Sequence, residues 1–518
     1  MDRSEIEMRV FEDKYPDLTI DLKAEIAAIE EHKQSVRQVL EKNPRVVFWC
    51  LFFAFSAVGW GFDAQVNGAM IGVPQFRSVF GYSIGSESVL PASWQSAFNS
   101  VSSVGQFFGG LACSWFSDRI GRRWTLFLGL MVVTGGIFGE VFASTRVAFL
   151  FGRLVLGVGL GFHLTIGPLY ASEIAPVALR GIVTGGTNMA ICTGQLLSNA
   201  VIKGFGERRD PWAFRGPFAV QWLFVAIMLL GLPFAPESPW YFMRQGDQAG
   251  AERSLKQLYG TDADVRYKLA MIKRTVEADI ELSGSTRLVQ CFQGTNLVRT
   301  AISVGVFACQ HLSGIIFALG YSTYFFELAG IEVSHALDLG VGVTAIGVVG
   351  CGIAWSLMNN WGRRNLFILG MVSMTSVMLL MGILDVIPTK GAKWGQASCT
   401  VVYAFFYQAT IGPLAFSILG ETSTSALRAK TIGLATACQA VFGIVFNIAI
   451  AYMMNPDSGD LNGKVGFVFS GLNAIATLWS WAYVPELKGR TFAEIDTMFQ
   501  NNVKARHMAR YQIPRTVP

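Results

Sequence analysis

The chain has 518 residues, of which 52% are hydrophobic and 15% are charged, and its net charge is +5. Soluble domains carry about 25% charged residues, so this composition excludes an ordinary soluble protein and indicates a polytopic membrane protein. Its basic residues lie in short clusters between apolar runs, which is typical of membrane-protein loops and not of a nucleic-acid-binding surface. The eight cysteines lack metal-binding or redox spacing, so we predict no metal, no cofactor and no disulfide.

Twelve apolar runs follow a mixed-charge tail, and each is long enough to cross the roughly 30 Å hydrocarbon core of a bilayer. They predict an all-α membrane protein with twelve transmembrane helices. The tail has no signal-peptide pattern, so we expect the first run itself to direct insertion. The approximate limits of the runs are 46–68, 94–116, 124–143, 147–170, 182–203, 217–236, 300–326, 337–358, 366–386, 397–419, 430–453 and 465–485.

The loops between these runs differ in their basic residues. Most loops after even-numbered runs carry lysine or arginine, and most loops after odd-numbered runs do not. The loop at 204–215 is an exception, since it holds three arginines. By the positive-inside rule both termini lie in the cytoplasm, and we expect the plasma membrane to hold the chain. The predicted division is a cytoplasmic tail (1–45), a six-helix bundle (46–239), a cytoplasmic helical linker (240–295), a second six-helix bundle (296–485) and a cytoplasmic tail (486–518).

The two predicted bundles repeat each other. Three landmarks of the first bundle recur in the second at nearly constant offsets of 241, 248 and 249 residues, which predicts two pseudo-symmetric halves. Paired six-helix halves with a binding site at their interface are a transporter architecture. The landmarks are Gly121-Arg122-Arg123 with Gly362-Arg363-Arg364, Glu173 and Arg180 with Glu421 and Arg428, and Pro236-Glu237 with Pro485-Glu486.

One acid stands inside the first apolar run. A carboxylate at the middle of a membrane helix costs roughly 3 kcal/mol or more, so Asp63 is a functional candidate by default. Arg153, in the apolar run of residues 149–166, is its predicted partner. The alternative is that Asp63 lies at the headgroup level and solvates the end of a helix.

Charged residues at the predicted cytoplasmic ends form a second candidate set. We expect them to form salt bridges that hold that side closed in one state and break in the other. For the acids and arginines at the ends of the fourth and tenth runs we favour bridges between the two halves. The alternative is that the basic residues only mark topology. The set is Asp118, Arg119, Arg122, Arg123, Glu173, Arg180, Glu237, Arg363, Arg364, Glu421, Arg428 and Glu486.

Polar and aromatic side chains inside the runs are candidate substrate ligands. Amides that converge on one cavity offer both donors and acceptors, which suits a polyhydroxylated ligand. Each alone is more often a helix-to-helix contact, and His163 and His311 fit core or cavity residues better than proton carriers. The candidates are Asn188, Gln195, Gln310, His311, Tyr321, Phe416 and Gln439.

Several motifs together resemble the sugar porter family of the major facilitator superfamily. They are SDRIGRR, GRLVLGVGLGF, YASEIAPVALRG, PESPWYF, QHLSG, GETSTSALRAKT and PELKGRTFAEIDTMF, and the resemblance runs from Val46 to about Arg506. PESPW, LRAKT and the ELKGRTFAEID tail are similar to the fungal general alpha-glucoside (maltose permease-like) proton symporters.

The resemblance implies roles for individual residues. Asp63 matches the aspartate that takes up the coupling proton in the family's symporters, and Arg153 matches its partner. Gln310 and Gln439 match positions that contact sugar, and Asn188 lies where many hexose carriers of the family have glutamine.

The chain also departs from the family pattern at the cavity. Where the family has a second glutamine, an asparagine and a tryptophan, this chain has His311, Ile316 and Phe416. Trp60 stands where maltose permease-like members carry an additional glutamate. These departures predict a more apolar and roomier cavity than a monosaccharide site.

The predicted function is secondary active transport of a sugar, an alpha-glucoside or other oligosaccharide, coupled to a proton by symport. We expect the chain to work as a monomer in the lipid bilayer, with the sugar and the proton as its partners and no nucleic acid. Two alternatives stay open: a facilitative hexose transporter or a porter for a non-sugar metabolite, and a nutrient sensor on the same fold. An enzyme is not expected, because the sequence has no nucleotide-binding loop and no metal cluster.

Overall fold

The computed structural model describes residues 36–70, 73–84, 87–206, 208, 210–260, 262–283, 288–320, 333–387, 389–424, 426–454, 459 and 461–511. These residues are almost entirely helical, as the sequence predicts. One feature was not predicted, a short antiparallel pair of strands in which Tyr82 lies opposite Val89.

The described part of the first half contains eight α-helices and the strand pair. Its long helices correspond to the first six predicted apolar runs. The elements are α1 (Val36–Lys42), α2 (Pro44–Met70), α3 (Pro74–Phe80), β1 (Tyr82–Ile84), β2 (Glu87–Val89), α4 (Ala92–Ile120), α5 (Arg122–Val141), α6 (Arg146–Ile174), α7 (Val177–Phe205) and α8 (Trp212–Gly231).

Three helices connect the halves, and the second half follows. In this half, helix α12 is continued by a π-helical turn at Ile316–Gly320. The elements are α9 (Pro239–Arg244), α10 (Gln248–Tyr259), α11 (Asp262–Ser283), α12 (Gly294–Leu312), α13 (Val333–Trp361), α14 (Arg363–Val386), α15 (Lys390–Ala409), α16 (Ile411–Thr422), α17 (Arg428–Met454), α18 (Val465–Tyr483) and α19 (Phe492–Gln500).

Equivalent helices in the two halves start with the same local structure, a glycine of positive φ or a threonine N-cap. Gly121, before α5, has φ of 86°, and Gly362, before α14, has φ of 82°. A positive φ of this size favours glycine, which makes a tight turn without steric cost. Thr145 accepts a hydrogen bond from the Ala148 N–H at 3.2 Å to cap α6, and Thr389 does the same for α15. The repeat seen in the sequence therefore extends to backbone conformation.

Nine stretches of the described chain are long and apolar enough to cross a membrane. The three remaining predicted runs correspond to α4, α7 and α12, which lie at the expected positions but are more polar. Some of these polar residues line a central cavity of the protein. In α4 they are Asn99, Ser102, Ser103 and Gln106. That these three helices also cross the bilayer stays a prediction.

The tenth predicted run, 397–419, is not one continuous helix as its apolar pattern suggested. The structure breaks it at Thr410, whose φ of −132° and ψ of −88° separate α15 from α16. Pro413 follows within the first turn of α16, and proline lacks the N–H that a continuous helix would require there. A broken helix is tolerated at membrane depth where it lines a cavity, and residues on both sides of this break do so.

The halves approach each other closely where glycines face each other. A Cβ placed on Gly433 of α17 would lie 2.6 Å from the carbonyl oxygen of Gly110 in α4. Small residues permit such backbone contact between membrane helices. Helices α4 and α17 thus pack tightly across the boundary between the halves, as α7 does against α13 and α16.

Candidate transport site between the halves

A cavity of about 190 Å³ lies between the two halves and is lined by residues of both. It brings together the predicted proton-coupling pair and six of the seven predicted substrate ligands. The seventh, Tyr321, lies outside the described residues. The predicted residues at the cavity wall are Asp63, Arg153, Asn188, Gln195, Gln310, His311, Phe416 and Gln439.

Asp63 and Arg153 form a bidentate ion pair. Arg153 Nη1 donates to Asp63 Oδ1 at 2.7 Å, and Nη2 donates to Oδ2 at 3.1 Å. The two side chains are 2% and 1% exposed, so Asp63 is enclosed by protein and does not solvate the end of a helix. The pairing follows from the packing of α2 against α6, which brings the two residues to one wall of the cavity.

A second carboxylate shares the same arginine, and the sequence analysis missed it. Glu140, in the last turn of α5, accepts a hydrogen bond from Arg153 Nη1 at 2.9 Å. Its side chain is fully buried. The signal was present, because Glu140 is an acid inside the third predicted apolar run, 124–143, and such residues are costly in a membrane.

Amide side chains from the two halves meet across the cavity. Asn188 of α7 donates from Nδ2 to Oε1 of Gln408 in α15 at 2.7 Å. Gln310 of α12 donates to the Gly412 carbonyl at 3.4 Å. Gln408 was not predicted, although an amide inside the tenth apolar run was a visible signal. These groups offer donors and acceptors to a polar ligand.

A further polar group lines the cavity between α2 and α4. The Trp60 indole N–H donates to Gln106 Oε1 at 2.9 Å, and Asn67 donates from its amide to Asn99. The sequence identified Trp60 only as a departure from the family pattern. The amides of α4 were missed because each polar residue in isolation resembles a helix-packing contact.

The opposite part of the cavity is apolar. Phe416 lies with its ring centroid 5.3 Å from that of Phe307, and Ile316 and Leu319 also line the wall. His311 uses Nδ1 to contact the Phe307 carbonyl oxygen at 3.0 Å. His163 is buried away from the cavity lining, and neither of its ring nitrogens has a hydrogen-bond partner among the described residues.

Charged clusters lie at one end of the bundle, where Gly121, between α4 and α5, comes close to helix α9. We call this end of the molecule the terminal side. There Arg122 Nη2 donates to Glu173 Oε1 at 2.6 Å, and both side chains are fully buried. Glu237 accepts from the backbone N–H groups of Arg122 at 2.8 Å and Arg123 at 3.0 Å. Burial raises the pKa of the Glu237 carboxyl, and these N–H donors oppose that shift.

The second half repeats this arrangement. Arg363 Nη2 donates to Glu421 Oε1 at 3.0 Å, and Glu486 accepts from the backbone N–H groups of Arg363 at 2.9 Å and Arg364 at 3.1 Å. The expectation of salt bridges between the halves is therefore wrong for Glu173 and Glu421. Each acid pairs with the arginine of the neighbouring antiparallel helix in its own half, because the helix pair brings their ends to the same level.

Two other predicted gating residues have different surroundings. The Arg119 guanidinium lies 4.1 Å from the ring centroid of Trp115, on its own helix. The side chain of Arg180 lies outside the described part of the chain.

Contacts that do cross between the halves lie on both sides of the cavity. On the terminal side, Lys430 Nζ and Asp118 Oδ2 are 2.5 Å apart. On the opposite side, Lys203 forms an ion pair with Asp338, and Asn199 donates to the Gly340 carbonyl at 3.0 Å. The sequence predicted Asp118 as an acid with which the basic cluster of residues 119–123 could pair, but in the structure its partner is Lys430 of the other half. The halves are thus bridged above and below the cavity.

Two related helical halves around a buried cavity define a membrane transporter of the major facilitator fold. The chain belongs to the sugar transporter family, because the family model described as "Sugar (and other) transporter" matches residues 49–499. It is a membrane-embedded transporter and not an enzyme.

The curated relatives include fungal permeases. The chain is 29% identical over 489 residues to the general alpha-glucoside permease of Saccharomyces cerevisiae, covering 93% of this chain and 79% of that protein. It is 29% identical over 507 residues to maltose permease MAL31 of the same yeast, covering 95% and 82%. It is 30% identical over 488 residues to the MFS transporter fmqE of Aspergillus fumigatus, covering 93% and 90%.

Solved structures share the fold. The proton:xylose symporter XylE bound to 6-bromo-6-deoxy-D-glucose superposes with a TM-score of 0.78 at 23% identity, covering 88% of this chain and all of that one. The inward open conformation of XylE from E. coli gives 0.65, covering 88% and 99%.

Proposed function

We propose that this chain is a proton-coupled sugar symporter that works by alternating access. The observation that carries the proposal is the Asp63–Arg153 ion pair at the wall of a cavity that amides from both halves also line. A carboxylate that reaches a central binding site, and that pairs with a cation in this state, is suited to take up and release a proton as the halves move. Membrane relatives named as alpha-glucoside and maltose permeases support a sugar as substrate.

The coupling step needs only this chain's own groups. Protonation of Asp63 neutralises its carboxylate and weakens its hold on Arg153, because the attraction between the two depends on the negative charge. Movement of α2 against α6 then becomes easier. Release of the proton to water on the other side restores the ion pair, so the packing of α2 against α6 at the cavity wall would follow the protonation of Asp63.

Alpha-glucosides are the substrate class we propose. Asn188, Gln310 and Gln408 would bind hydroxyl groups, and Phe416 would pack against the apolar face of a pyranose ring. The cavity of about 190 Å³ is smaller than the roughly 300–1,000 Å³ of sites for larger ligands. A disaccharide would therefore bind to a more open state, and the expected roomier cavity would exist only in that state.

The predicted topology assigns each side of the cavity to one side of the membrane. With both termini in the cytoplasm, the terminal side faces the cytoplasm, and the Asp118–Lys430 pair would have to break before substrate reaches the cell interior. We further propose a plasma-membrane location and function as a monomer, since each half contributes to one complete site within a single chain.

A second candidate function is transport of a less hydroxylated metabolite by the same fold. It is favoured by the apolar wall formed by Ile315, Ile316, Leu319 and Phe416. A substrate panel separates the two candidates, because an apolar metabolite would compete for uptake where sugars do not.

Radiolabelled uptake in a transporter-deficient yeast tests the proposal. The panel contains maltose, trehalose, glucose and xylose, measured with and without an uncoupler. We expect accumulation of at least one glucoside above the external concentration, and its loss when the uncoupler is added. Asp63→Asn should abolish accumulation while leaving exchange of sugar across the membrane. The proposal fails if Asp63→Asn still concentrates a sugar, or if no sugar in the panel is transported.

The matched control is Asp385→Asn. Asp385 is a carboxylate at the end of α14, is not at the cavity wall, and is bonded to Gln396 instead of a cation. We expect this variant to accumulate sugar as the unchanged protein does. Its failure would show that any loss of a carboxylate at a helix end stops transport.

A further inference from the structure

Arg153 is shared between two buried carboxylates, and the proposed coupling step uses only one of them. Nη1 donates both to Asp63 Oδ1 at 2.7 Å and to Glu140 Oε1 at 2.9 Å. We propose that Glu140 is a positioning residue of the coupling site: it keeps Arg153 charge-paired while Asp63 carries the proton. This inference rests on the proposed symport function and names a residue that the function requires beyond Asp63 and Arg153.

The charges of the cluster support this role. When both acids are ionised, the two carboxylates and one guanidinium carry a net charge of −1, and uptake of one proton makes the cluster neutral. A single carboxylate with Arg153 would be neutral before protonation and would carry +1 afterwards. Because an uncompensated charge inside a protein is costly, Glu140 makes the protonated form of the cluster accessible.

The proton transfer itself is simple. A hydronium ion on one side transfers its proton to a carboxylate oxygen of Asp63: one O–H bond of hydronium breaks, an O–H bond to Asp63 forms, and water leaves. The hydrogen bonds between Asp63 and Arg153 weaken at the same time. Arg153 then keeps its ion pair with Glu140. On release, the proton passes to water on the other side, and Arg153 again holds both acids.

The surroundings of Glu140 separate it from substrate. Its side chain is fully buried and it does not line the cavity. The described charged groups that act on it are Arg153 from α6 and Asp63 from α2. Helix α8, which packs on α5, has Arg215 in its first turn as its only charged residue. One cation and two anions therefore determine the charge of this site.

The second half offers an internal comparison. Asp385 lies 245 residues after Glu140, and Gln396 lies 243 residues after Arg153, which are offsets close to those of the repeated landmarks. Asp385 Oδ1 accepts a hydrogen bond from Gln396 Nε2 at 2.8 Å. The acid is present in both halves, but an amide takes the place of the guanidinium in the second. Among the residues that the structure describes, only the first half has the charge arrangement that the inference requires.

Infrared difference spectroscopy of the purified full-length protein in lipid nanodiscs tests the inference without knowledge of the substrate. The pH-dependent band of protonated carboxyl groups is measured for the unchanged protein and for Asp63→Asn, and their difference isolates Asp63. The same difference is then taken in the Glu140→Gln background. We expect the Asp63 midpoint to fall by about one to two pH units when Glu140 becomes an amide, because Arg153 then acts on Asp63 alone.

The outcomes are distinct. An unchanged midpoint in the Glu140→Gln background overturns the inference, as does an equal shift produced by Asp385→Asn. If Glu140→Gln does not fold, Glu140→Asp replaces it. This variant withdraws the carboxylate from Arg153 by one methylene, and we expect a smaller downward shift, whereas no shift overturns the inference.

The uptake assay keeps this test separate from that of the proposed function. With the maltose panel, Glu140→Gln should move the pH of half-maximal accumulation in the acid direction and leave sugar exchange intact. A uniform loss of uptake at every pH, without a change in profile, would indicate a purely structural role. If Asp63→Asn still accumulates sugar, the symport proposal fails whatever Glu140→Gln does.

Discussion

The Arg428 guanidinium lies 5.6 Å from the ring centroid of Trp240, and this contact joins the second half to the helices that follow the first. Arg428 also lies 3.8 Å from the ring centroid of Phe492 in α19. The sequence predicted Arg428 as a member of a salt bridge between the halves. The structure gives it aromatic neighbours on both sides, so cation–π attraction contributes to holding the terminal side closed.

Replacement of Trp240 by leucine should loosen the terminal side. A cation–π contact is worth about 0.5–2 kcal/mol, so the open form should become several-fold more populated. Hydrogen–deuterium exchange in the first turn of α17 measures this opening, and we expect faster exchange in Trp240→Leu. Trp240→Phe keeps an aromatic face and serves as the control. Equal exchange in both variants would contradict a role for the ring.

The Asp118–Lys430 pair should contribute less than its short distance suggests. The two side chains are 26% and 16% exposed, and partly exposed pairs are worth about 0.2–1 kcal/mol. A double-mutant cycle of Asp118→Asn and Lys430→Gln on thermal unfolding should give a coupling in this range. Because salt screens such pairs, the coupling should decrease as ionic strength rises. A coupling energy that is large and independent of salt would show that water and ions do not reach the pair.

The buried Arg122–Glu173 pair should be essential for folding of the first half. Removal of one partner leaves a buried charge, which costs about 3–5 kcal/mol. We therefore expect Arg122→Met to lower the unfolding temperature strongly in detergent. The double variant Arg122→Met/Glu173→Gln should recover part of the loss, since no uncompensated charge is left. A double variant less stable than Arg122→Met would contradict this account.

The hydrogen bond between Asn188 and Gln408 should matter for substrate binding. If substrate hydroxyl groups take over these amides, Gln408→Ala leaves one unmet hydrogen bond, which costs about 1–3 kcal/mol when the site is buried. The KM for the transported sugar should rise by about 5- to 150-fold, since 1.4 kcal/mol is a factor of ten. Ser398→Ala, an exposed residue on the same helix, is the control and should leave KM unchanged.

The sequence was sufficient for the parts of the fold that depend on composition along the chain. Apolar runs of membrane length and basic loops predict membrane helices, because the bilayer imposes these patterns on any helical membrane protein. The repeated Gly-Arg-Arg landmarks predict two related halves, because they recur at a nearly constant offset along the chain. Asp63 and Arg153 could be paired for the same reason, since each is a charge inside an apolar run and each requires a partner.

Only the tertiary structure decided the contacts between residues distant in the chain. Glu140 forms an ion pair with the same arginine as Asp63. Glu173 and Glu421 pair with arginines of their own halves, and Gln408 accepts a hydrogen bond from Asn188. The physical reason is that helix periodicity gives the face of a side chain but not the neighbouring helix or its level in the bundle. The rotation and depth at which helices pack determine which charges meet.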